Sequence, residues 1–182
     1  MTKQEARKHS RERLKNLTLD KKIVASVKIT YLLKSEIENL NAKKIFIFLS
    51  DGNEPNTIDM IEKLLSQGYE ISVPVVKGRK MIASKIDSLE NLKQNEFGIL
   101  EPTVICREKK FDVCVAPLLA FDENLSRCGR GKGFYDKFLK RKSVVKIGIA
   151  FDCQKVENLE MTRRDVQLDK IITEEKIYKG KE

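Results

Sequence analysis

The sequence is poor in the residues that several common kinds of site need. It has one histidine in 182 residues, His9. This shortage argues against serine–histidine–aspartate or cysteine–histidine catalysis unless His9 itself is recruited. The four cysteines form no C-x-x-C pair, and with one histidine a Cys/His zinc centre is not expected. We expect four reduced thiols in a cytoplasmic protein: Cys106, Cys114, Cys128 and Cys153.

Long apolar runs are also missing. The longest unbroken run, Ile45–Leu49, is far shorter than the roughly 20 residues that a membrane span needs. The N-terminus has no apolar stretch of the kind found in a secretory signal. Apolar residues nevertheless make up 41% of the chain and fall in periodic clusters, which argues against disorder. The length predicts a single globular domain over residues 1–182.

Positive charge is in excess. Lys plus Arg number 36 against 27 Asp plus Glu, giving a formal net charge of +9. Such a balance favours polyanionic partners, namely nucleotides, nucleic acids or polycarboxylates. Aromatic residues make up only 7%, the lysines are dispersed, and no RNP-like motif is present. A basic RNA-binding module is therefore the weaker alternative.

The first forty residues read as two helices. The charged segment Lys3–Leu17 predicts one helix, and Asp20 can cap a second. Apolar residues at helical spacing predict the apolar face of this second helix. They are Ile23, Val24, Val27 and Tyr31.

Strands and helices alternate along the rest of the chain. Apolar segments predict strands over Lys44–Leu49, Glu70–Val76, Met81–Ile86, Phe111–Ala116 and Val144–Phe151. Helices are predicted between Thr57, as N-cap, and Gly68, over Leu89–Gln94, and around Phe134, Tyr135, Phe138 and Leu139. The alternation predicts an α/β fold with a mostly parallel sheet, helices on both faces and an N-terminal helical segment. Ligands bind beyond the carboxyl ends of such strands, which brings together the loops after Leu49, Ala116 and Phe151.

The most informative segment is a glycine-rich loop between a predicted strand and a predicted helix. Its alternate glycines let the backbone approach a ligand closely and adopt positive φ. Exposed N–H groups and cations in one loop form an anion cradle of the kind that a triphosphate needs. The glycines are Gly129, Gly131 and Gly133, and the cations are Arg127, Arg130 and Lys132.

This loop is not a Walker A motif. Gly133 follows Lys132 where that motif has a hydroxyl residue that contacts magnesium. A carboxylate must then supply the metal contact, and Asp122 and Asp136 are the nearby candidates.

The stretch Pro117–Leu139 resembles the signature of the 5-formyltetrahydrofolate cyclo-ligase family, a P-x-L-A-F-D segment followed by R-x-G-x-G-x-G-[YF]-Y-D. The resemblance extends over most of the chain, through Lys3 and Arg7, Glu54 and Thr57, Val73–Val75, Phe97–Pro102, Asp165, Asp169 and Ile171–Thr173. Four residues depart from the family pattern. Leu118 replaces a glycine, Cys128 an aliphatic residue, Phe134 a tyrosine and Arg164 a histidine.

The resemblance implies an enzyme with a Rossmann-like, CoA-transferase-like sheet that acts as a monomer. Its expected reaction converts ATP and 5-formyltetrahydrofolate, with or without a polyglutamate tail, into 5,10-methenyltetrahydrofolate, ADP and phosphate, with Mg²⁺ as the cofactor. Such chemistry needs positioning and stabilisation of phosphoryl charge rather than a covalent nucleophile. No nucleic-acid or membrane partner is expected.

The resemblance also implies roles for particular residues. ATP is expected on Lys3, Arg7, Arg127, Gly129, Arg130, Gly131, Lys132, Gly133, Phe134 and Tyr135. The folate is expected on Leu49, Glu54, Arg130, Gly131, Lys132, Gly133 and Phe134. Arg130 and Lys132 are the expected catalytic residues, and Asp136 and Asp165 the expected magnesium ligands.

Two points stay open at the level of sequence. The acceptor could be another small molecule, in which case the chain would be a different ATP-dependent ligase or kinase. Glu54 discriminates here, because a carboxylate can pair in bidentate fashion with the amino-pyrimidine edge of a pterin. Tyr135 could face either the ligand or the core.

The simplest interpretation of the remaining large apolar residues is that they form the core. They are Phe46, Phe48, Met60, Met81 and Phe138.

Overall fold

A computed structural model of the chain describes residues 1–95, 98–140 and 142–180. Its centre is an eight-stranded sheet. The strands of this sheet are β1 Lys44–Ile47, β2 Glu70–Lys77, β3 Lys80–Ile86, β6 Cys106–Glu108, β7 Val113–Pro117, β10 Val145–Ile149, β11 Lys170–Ile172 and β12 Ile177–Lys179. Their order across the sheet is β12-β11-β10-β7-β1-β2-β3-β6. The five strands from β11 to β2 are parallel, and antiparallel strands flank them on both sides.

Two small hairpins lie outside this sheet. One pairs β4 Leu92–Gln94 with β5 Leu100–Pro102, and the other pairs β8 Ala120–Phe121 with β9 Arg127–Cys128. The predicted helix over Leu89–Gln94 is wrong, since a 3-10 turn at Leu89–Asn91 leads directly into β4. The family-like segment Phe97–Pro102 is described only in part, because Phe97 lies outside the described residues.

Helices cover both faces of the sheet, as predicted. Ile45 and Ile47 of β1 belong to a buried cluster with the helices on one face, whereas Phe46 packs with Leu139 on the other. Strands that are buried on both faces carry nearly continuous apolar runs, which explains why β1 could be located from sequence. The helices are α1 Lys3–Asn16, α2 Leu19–Asn39, α3 Ile58–Ser66 and α4 Phe134–Leu139.

The apolar stripe expected on α2 faces solvent. Ile23 is 54% exposed and Tyr31 is 73% exposed, and Val24 and Val27 are also exposed. The helix instead buries a second apolar face, formed by Ala25, Ile29, Leu33 and Ile37. Both faces share the helical period, so the pattern predicts the helix without showing which face is buried.

Two of the predicted helix caps differ from the structure. Thr18, rather than Asp20, caps α2, and its side chain accepts a hydrogen bond from the Lys21 amide. Thr57 occupies the N-cap position of α3, but its hydroxyl donates to the Phe48 carbonyl. The Asn56 side chain accepts from the Ile58 amide at 3.0 Å instead. Thr57 therefore ties the start of α3 to the end of β1.

Small residues let α1 lie close to the loops at the carboxyl end of the sheet. Ala6 is fully buried in a cluster with Ala120 and Cys128. One turn further, the Ser10 hydroxyl donates to the Leu119 carbonyl. This contact face explains how so charged a helix packs. Within the described parts of the chain, no helix is both long and apolar enough to cross a membrane.

Candidate active site

Three loops meet beyond the carboxyl ends of the parallel strands, as the sequence predicted. Arg130 lies between β9 and α4, in the connection that follows β7, and donates to Glu54, in the loop after β1, at 2.9 Å. The loop after β10 joins them through Gln154, whose amide donates to the carbonyls of Leu118 at 2.9 Å and Leu119 at 3.0 Å. The candidate site lies at this junction.

The loop after β1 holds the Glu54 carboxylate in a nearly enclosed position. The Glu54 side chain is only 9% exposed, and it accepts a hydrogen bond from the Asp51 amide at 3.1 Å. Burial raises the pKa of Glu54, and the charge of Asp51 adds to this effect while Arg130 opposes it. Pro55, also buried, restricts the Glu54 backbone. A fixed, half-desolvated carboxylate of this kind is suited to a partner that offers paired donors.

The glycine loop wraps against α1. The Arg7 Nε donates to the Gly129 carbonyl at 2.8 Å. A Cβ on Gly131 would lie 3.5 Å from the Arg7 guanidinium, and Gly131 has a φ of +104°. Gly133, with a φ of +64°, turns the chain into α4. Both glycines therefore occupy backbone conformations that few other residues adopt. The loop and α1 form one basic surface.

The cations of the loop differ in their surroundings. Lys132 is exposed, and Arg130 is 59% exposed in its pair with Glu54 and Asp51. Arg127, in contrast, is 4% exposed and donates to Asp136 at 3.0 Å and to the Pro117 carbonyl at 3.3 Å. Arg127 therefore differs from the expected phosphate contact, because its guanidinium is buried and both terminal nitrogens bond protein groups. Its Nε is buried without a hydrogen-bond partner among the described residues.

Tyr135 extends this buried cluster. Its ring lies against the Arg127 guanidinium, 5.5 Å from centroid to Cζ, and 6.2 Å from the ring centroid of Phe46. Its hydroxyl is buried and has no hydrogen-bond partner within the described residues. Burial raises the pKa of Tyr135. The ring is thus packed against the core, which answers the question that the sequence left open.

The two expected metal ligands are linked through the backbone that follows Asp165. Asp136 Oδ1 accepts from the amide of Val166, the residue after Asp165, at 3.1 Å. Asp165 forms an ion pair with Lys3 and accepts from the Thr162 amide at 2.7 Å. Burial acts to raise the pKa of Asp165, but the hydrogen bonds from Lys3 and Thr162 outweigh it and lower the pKa.

This pair of carboxylates fits a magnesium ion. In the part of the chain that the structure describes, no group of three or more His, Cys, Asp or Glu side chains could hold a metal. Magnesium, however, is commonly bound by one or two carboxylates together with substrate phosphates. Asp122, the other candidate from the sequence, is fully buried and accepts hydrogen bonds from the amides of Ser126 and Leu159. It therefore shapes the β8–β9 turn.

The other expected site residues line the same region. Leu49 and Phe134 are half-buried, at the end of β1 and the start of α4. Asp51, which binds Arg130 beside Glu54, was not among the residues expected from the sequence. Its place in the loop immediately after a predicted strand was the available signal.

The four cysteines are free thiols, and burial raises the pKa of Cys114 to about 12.

The fold and the site together define a class of protein: an α/β enzyme with an anion-binding glycine loop beside a buried carboxylate. A family model, described as the 5-formyltetrahydrofolate cyclo-ligase family, matches residues 1–174. The chain belongs to this family of ligases.

Relatives and solved structures agree with this assignment. The 5-formyltetrahydrofolate cyclo-ligase of Haemophilus influenzae is 32% identical, over 93% of this chain and 96% of its own length. That of Escherichia coli K12 is 32% identical over 75% of this chain and 81% of its own. The solution structure of the 5,10-methenyltetrahydrofolate synthetase of Aquifex aeolicus superimposes with a TM-score of 0.87 at 30% identity, covering 99% of this chain and 93% of that one. Membership of an enzyme family does not support the RNA-binding alternative.

Proposed function

We propose that this chain converts ATP and 5-formyltetrahydrofolate into 5,10-methenyltetrahydrofolate, ADP and phosphate. The observation that carries the proposal is the 2.9 Å contact between Arg130 and Glu54. It brings the anion-binding loop against the carboxylate that can recognise a pterin. The two halves of the reaction, a phosphate donor and a folate acceptor, can thus meet at one point.

ATP is assigned to the basic surface formed by α1 and the glycine loop. Lys3 and Arg7 lie one turn apart on α1, and Arg7 packs against Gly131. Exposed Lys132 supplies a point charge for the phosphates. Further loop contacts are assigned to Gly129, Gly133 and Phe134. Arg127 acts indirectly by holding Asp136, and Tyr135 acts indirectly by packing its ring on Arg127.

The folate is assigned to the Glu54 side of the junction. The carboxylate would accept paired hydrogen bonds from the amino-pyrimidine edge, and Leu49 would add apolar contact. Arg130 to Phe134 would touch both ligands. Since Arg130 already binds Glu54, the folate must share or replace this contact, which links folate binding to the position of a catalytic arginine.

Asp136 and Asp165 are the residues that would hold Mg²⁺. The ion would neutralise phosphate charge when bound with ATP. Arg127 and Lys3 orient the two carboxylates through the ion pairs described above. All these groups come from one chain, and we propose that a monomer formed by the single domain over residues 1–182 is the functional unit.

The chemistry then needs two displacements. The formyl oxygen attacks the γ-phosphorus of ATP, and the bond from that phosphorus to the bridging oxygen breaks. ADP departs, and the phosphorylated folate is an imidate phosphate. N10 attacks the former formyl carbon, its proton is released, and the carbon–oxygen bond breaks as phosphate departs. Arg130 and Lys132 stabilise the charge that moves on the phosphoryl oxygens. The protein supplies positioning and electrostatics throughout.

An ultraviolet assay for 5,10-methenyltetrahydrofolate tests this function directly. Purified protein with 5-formyltetrahydrofolate and Mg²⁺ should form product when ATP is present and none when ATP is omitted. Release of phosphate should match product one to one. ATP hydrolysis without methenyl product would indicate a different acceptor and overturn the folate assignment.

A further inference from the structure

Asp51 lies in the loop after β1 and has no role in the chemistry described above. Its Oδ2 accepts a hydrogen bond from Arg130, and its Oδ1 accepts from the Asn53 amide at 2.9 Å. The Asp51 amide in turn donates to Glu54 at 3.1 Å. Since the Asn53 contact fixes the direction of the carboxylate, Asp51 holds the arginine in a defined place.

A single nitrogen of Arg130 serves two carboxylates. Its Nη2 donates to Oδ2 of Asp51 and, at 2.9 Å, to Oε1 of Glu54. A guanidinium carries several N–H donors in a rigid fork. Among the residues that the structure describes, no protein acceptor bonds Nε or Nη1 of Arg130. These two nitrogens can therefore serve a ligand without loss of the Asp51 bond.

The folate and Arg130 need the same carboxylate. In the proposed function the amino-pyrimidine edge bonds Glu54 in bidentate fashion, so Arg130 must share or release the Oε1 that it now contacts. The Arg130 side chain is exposed, and an exposed arginine without an anchor samples many rotamers. Its charge would then be poorly placed when the phosphoryl group moves. A second anchor removes this conflict, and Asp51 already occupies that position.

We propose that Asp51 is a positioning residue for Arg130, which it keeps beside the glycine loop when the folate occupies Glu54. This inference rests on the proposed function. Asp51 acts through Arg130 and contacts neither ligand. Its bond holds Nη2 and leaves Nε and Nη1 for the phosphoryl oxygens.

The opposite role for Asp51 would be competition, in which it holds Arg130 away from ATP. The two roles predict opposite effects when the Asp51 charge is lost. Positioning predicts slower turnover, whereas competition predicts tighter ATP binding. The geometry favours positioning, because Asp51 bonds the guanidinium through one of its three nitrogens.

The test is Asp51→Asn in the ultraviolet assay. Asp51 is exposed, and asparagine keeps both an oxygen for the Asn53 amide and the backbone bond to Glu54, so the loop should keep its shape without the charge. We expect kcat to fall about tenfold, because a misplaced group can cost roughly 100-fold. KM for ATP and KM for 5-formyltetrahydrofolate should each change less than about twofold. Asp51→Glu, which retains a carboxylate, should recover most of the lost kcat.

A second measurement asks whether Asp51 acts through Arg130. In the Arg130→Met background, Asp51→Asn should change kcat by less than about twofold, because the group that Asp51 positions is already gone. A further loss of about tenfold in that background would overturn the proposal, since the two residues would then act independently.

Glu38→Gln is the matched control. Glu38 is exposed and pairs with Lys34 near the end of α2 that leads to the start of β1, away from the carboxyl ends of the strands. Its loss should leave kcat and both KM values intact. Unchanged kcat in Asp51→Asn would overturn the role of Asp51 alone if the wild type forms product. A higher KM for the folate without a fall in kcat, or tighter ATP binding, would also overturn it. A wild type that forms no methenyl product would overturn the proposed function and this role with it.

Discussion

Two arginines three residues apart in the glycine loop have opposite environments. Arg127 is 4% exposed and bonds a carboxylate that is itself only 19% exposed, whereas Arg130 is 59% exposed and lies across an open junction. The first arginine fixes the position of a carboxylate from inside the protein. The second can exchange its carboxylate for a ligand at little cost. One loop thus combines a fixed structural ion pair, Arg127–Asp136, with an exchangeable contact, Arg130–Glu54. Mutations should separate the effects of the two.

The largest expected effect is the loss of stability when the buried Arg127 is replaced. Arg127→Met should lower the free energy of unfolding by about 3–5 kcal/mol, because it leaves Asp136 without its cation in a half-buried position. Arg130→Met is the matched comparison and should cost less, because Arg130 and Asp51 are exposed. Glu54, the enclosed partner, still accepts a hydrogen bond from the Asp51 amide. Urea denaturation of both variants measures the difference. Equal losses would show that the two ends do not differ in the way the burial indicates.

In the exposed part of the glycine loop, Lys132→Ala should remove activity and leave stability unchanged. The exposed lysine is assigned to phosphoryl charge, and loss of one preorganised donor typically costs roughly 100-fold in kcat. The ultraviolet assay at saturating ATP measures the loss, with the thermal midpoint as a check on folding. Turnover near that of the wild type would remove Lys132 from the site.

Glu54→Gln tests the Arg130–Glu54 contact by changing the residue that is assigned to the folate. The change places a donor opposite a partner that offers donors, so folate affinity should fall about 5- to 150-fold while ATP affinity barely moves. Separate calorimetric titrations with each ligand measure both values. Unchanged folate affinity would make Glu54 an ordinary loop acid that pairs with Arg130, and equal losses would indicate misfolding.

The same residue predicts a pH dependence. Burial raises the pKa of Glu54, so the group binds its proton in the folded protein at a higher pH than in the unfolded chain. Its contribution to stability therefore decreases as pH rises through the folded-state value. Folate binding, which needs the carboxylate, should strengthen over the same interval. Glu54→Gln should flatten that part of the binding profile.

A smaller effect is expected at the metal ligands. Asp136→Asn and Asp165→Asn should each raise the magnesium concentration for half activity by roughly tenfold. Asp169→Asn is a control on the same segment, because Asp169 pairs with Lys146 and accepts from its amide rather than reaching the glycine loop. Unchanged magnesium titrations in both site variants would exclude them as ligands.

The sequence predicted the centre of this fold better than its edges, and the reason is physical. The parallel strand Lys44–Ile47 is buried on both faces and reads as an apolar run. The edge strands Cys106–Glu108 and Ile177–Lys179 are three residues long, and only Tyr178 in them is buried, so no apolar pattern distinguishes them from loops. The sequence could not show the contrast between Arg127 and Arg130, because the burial of Arg127 depends on how Tyr135 and Asp136 of the following helix pack against it.

The smallest expected effect has the opposite sign and concerns Tyr135, which packs on the buried arginine. Its hydroxyl is enclosed and bonds no described protein group, so the protein carries a desolvation cost there. Tyr135→Phe should keep the ring contacts with Arg127 and Phe46 and raise the free energy of unfolding by about 1 kcal/mol. Tyr178→Phe is the matched control. That hydroxyl donates to Asp152 at 2.8 Å, so its removal should lower stability by about 1 kcal/mol. Urea denaturation without ligands measures both variants.

A loss of stability in Tyr135→Phe as large as that in Tyr178→Phe would mean that the Tyr135 hydroxyl has a structural partner. A gain in stability together with weaker ATP or folate binding would mean instead that the hydroxyl serves the ligands, and that the buried end of the loop reaches them through this ring.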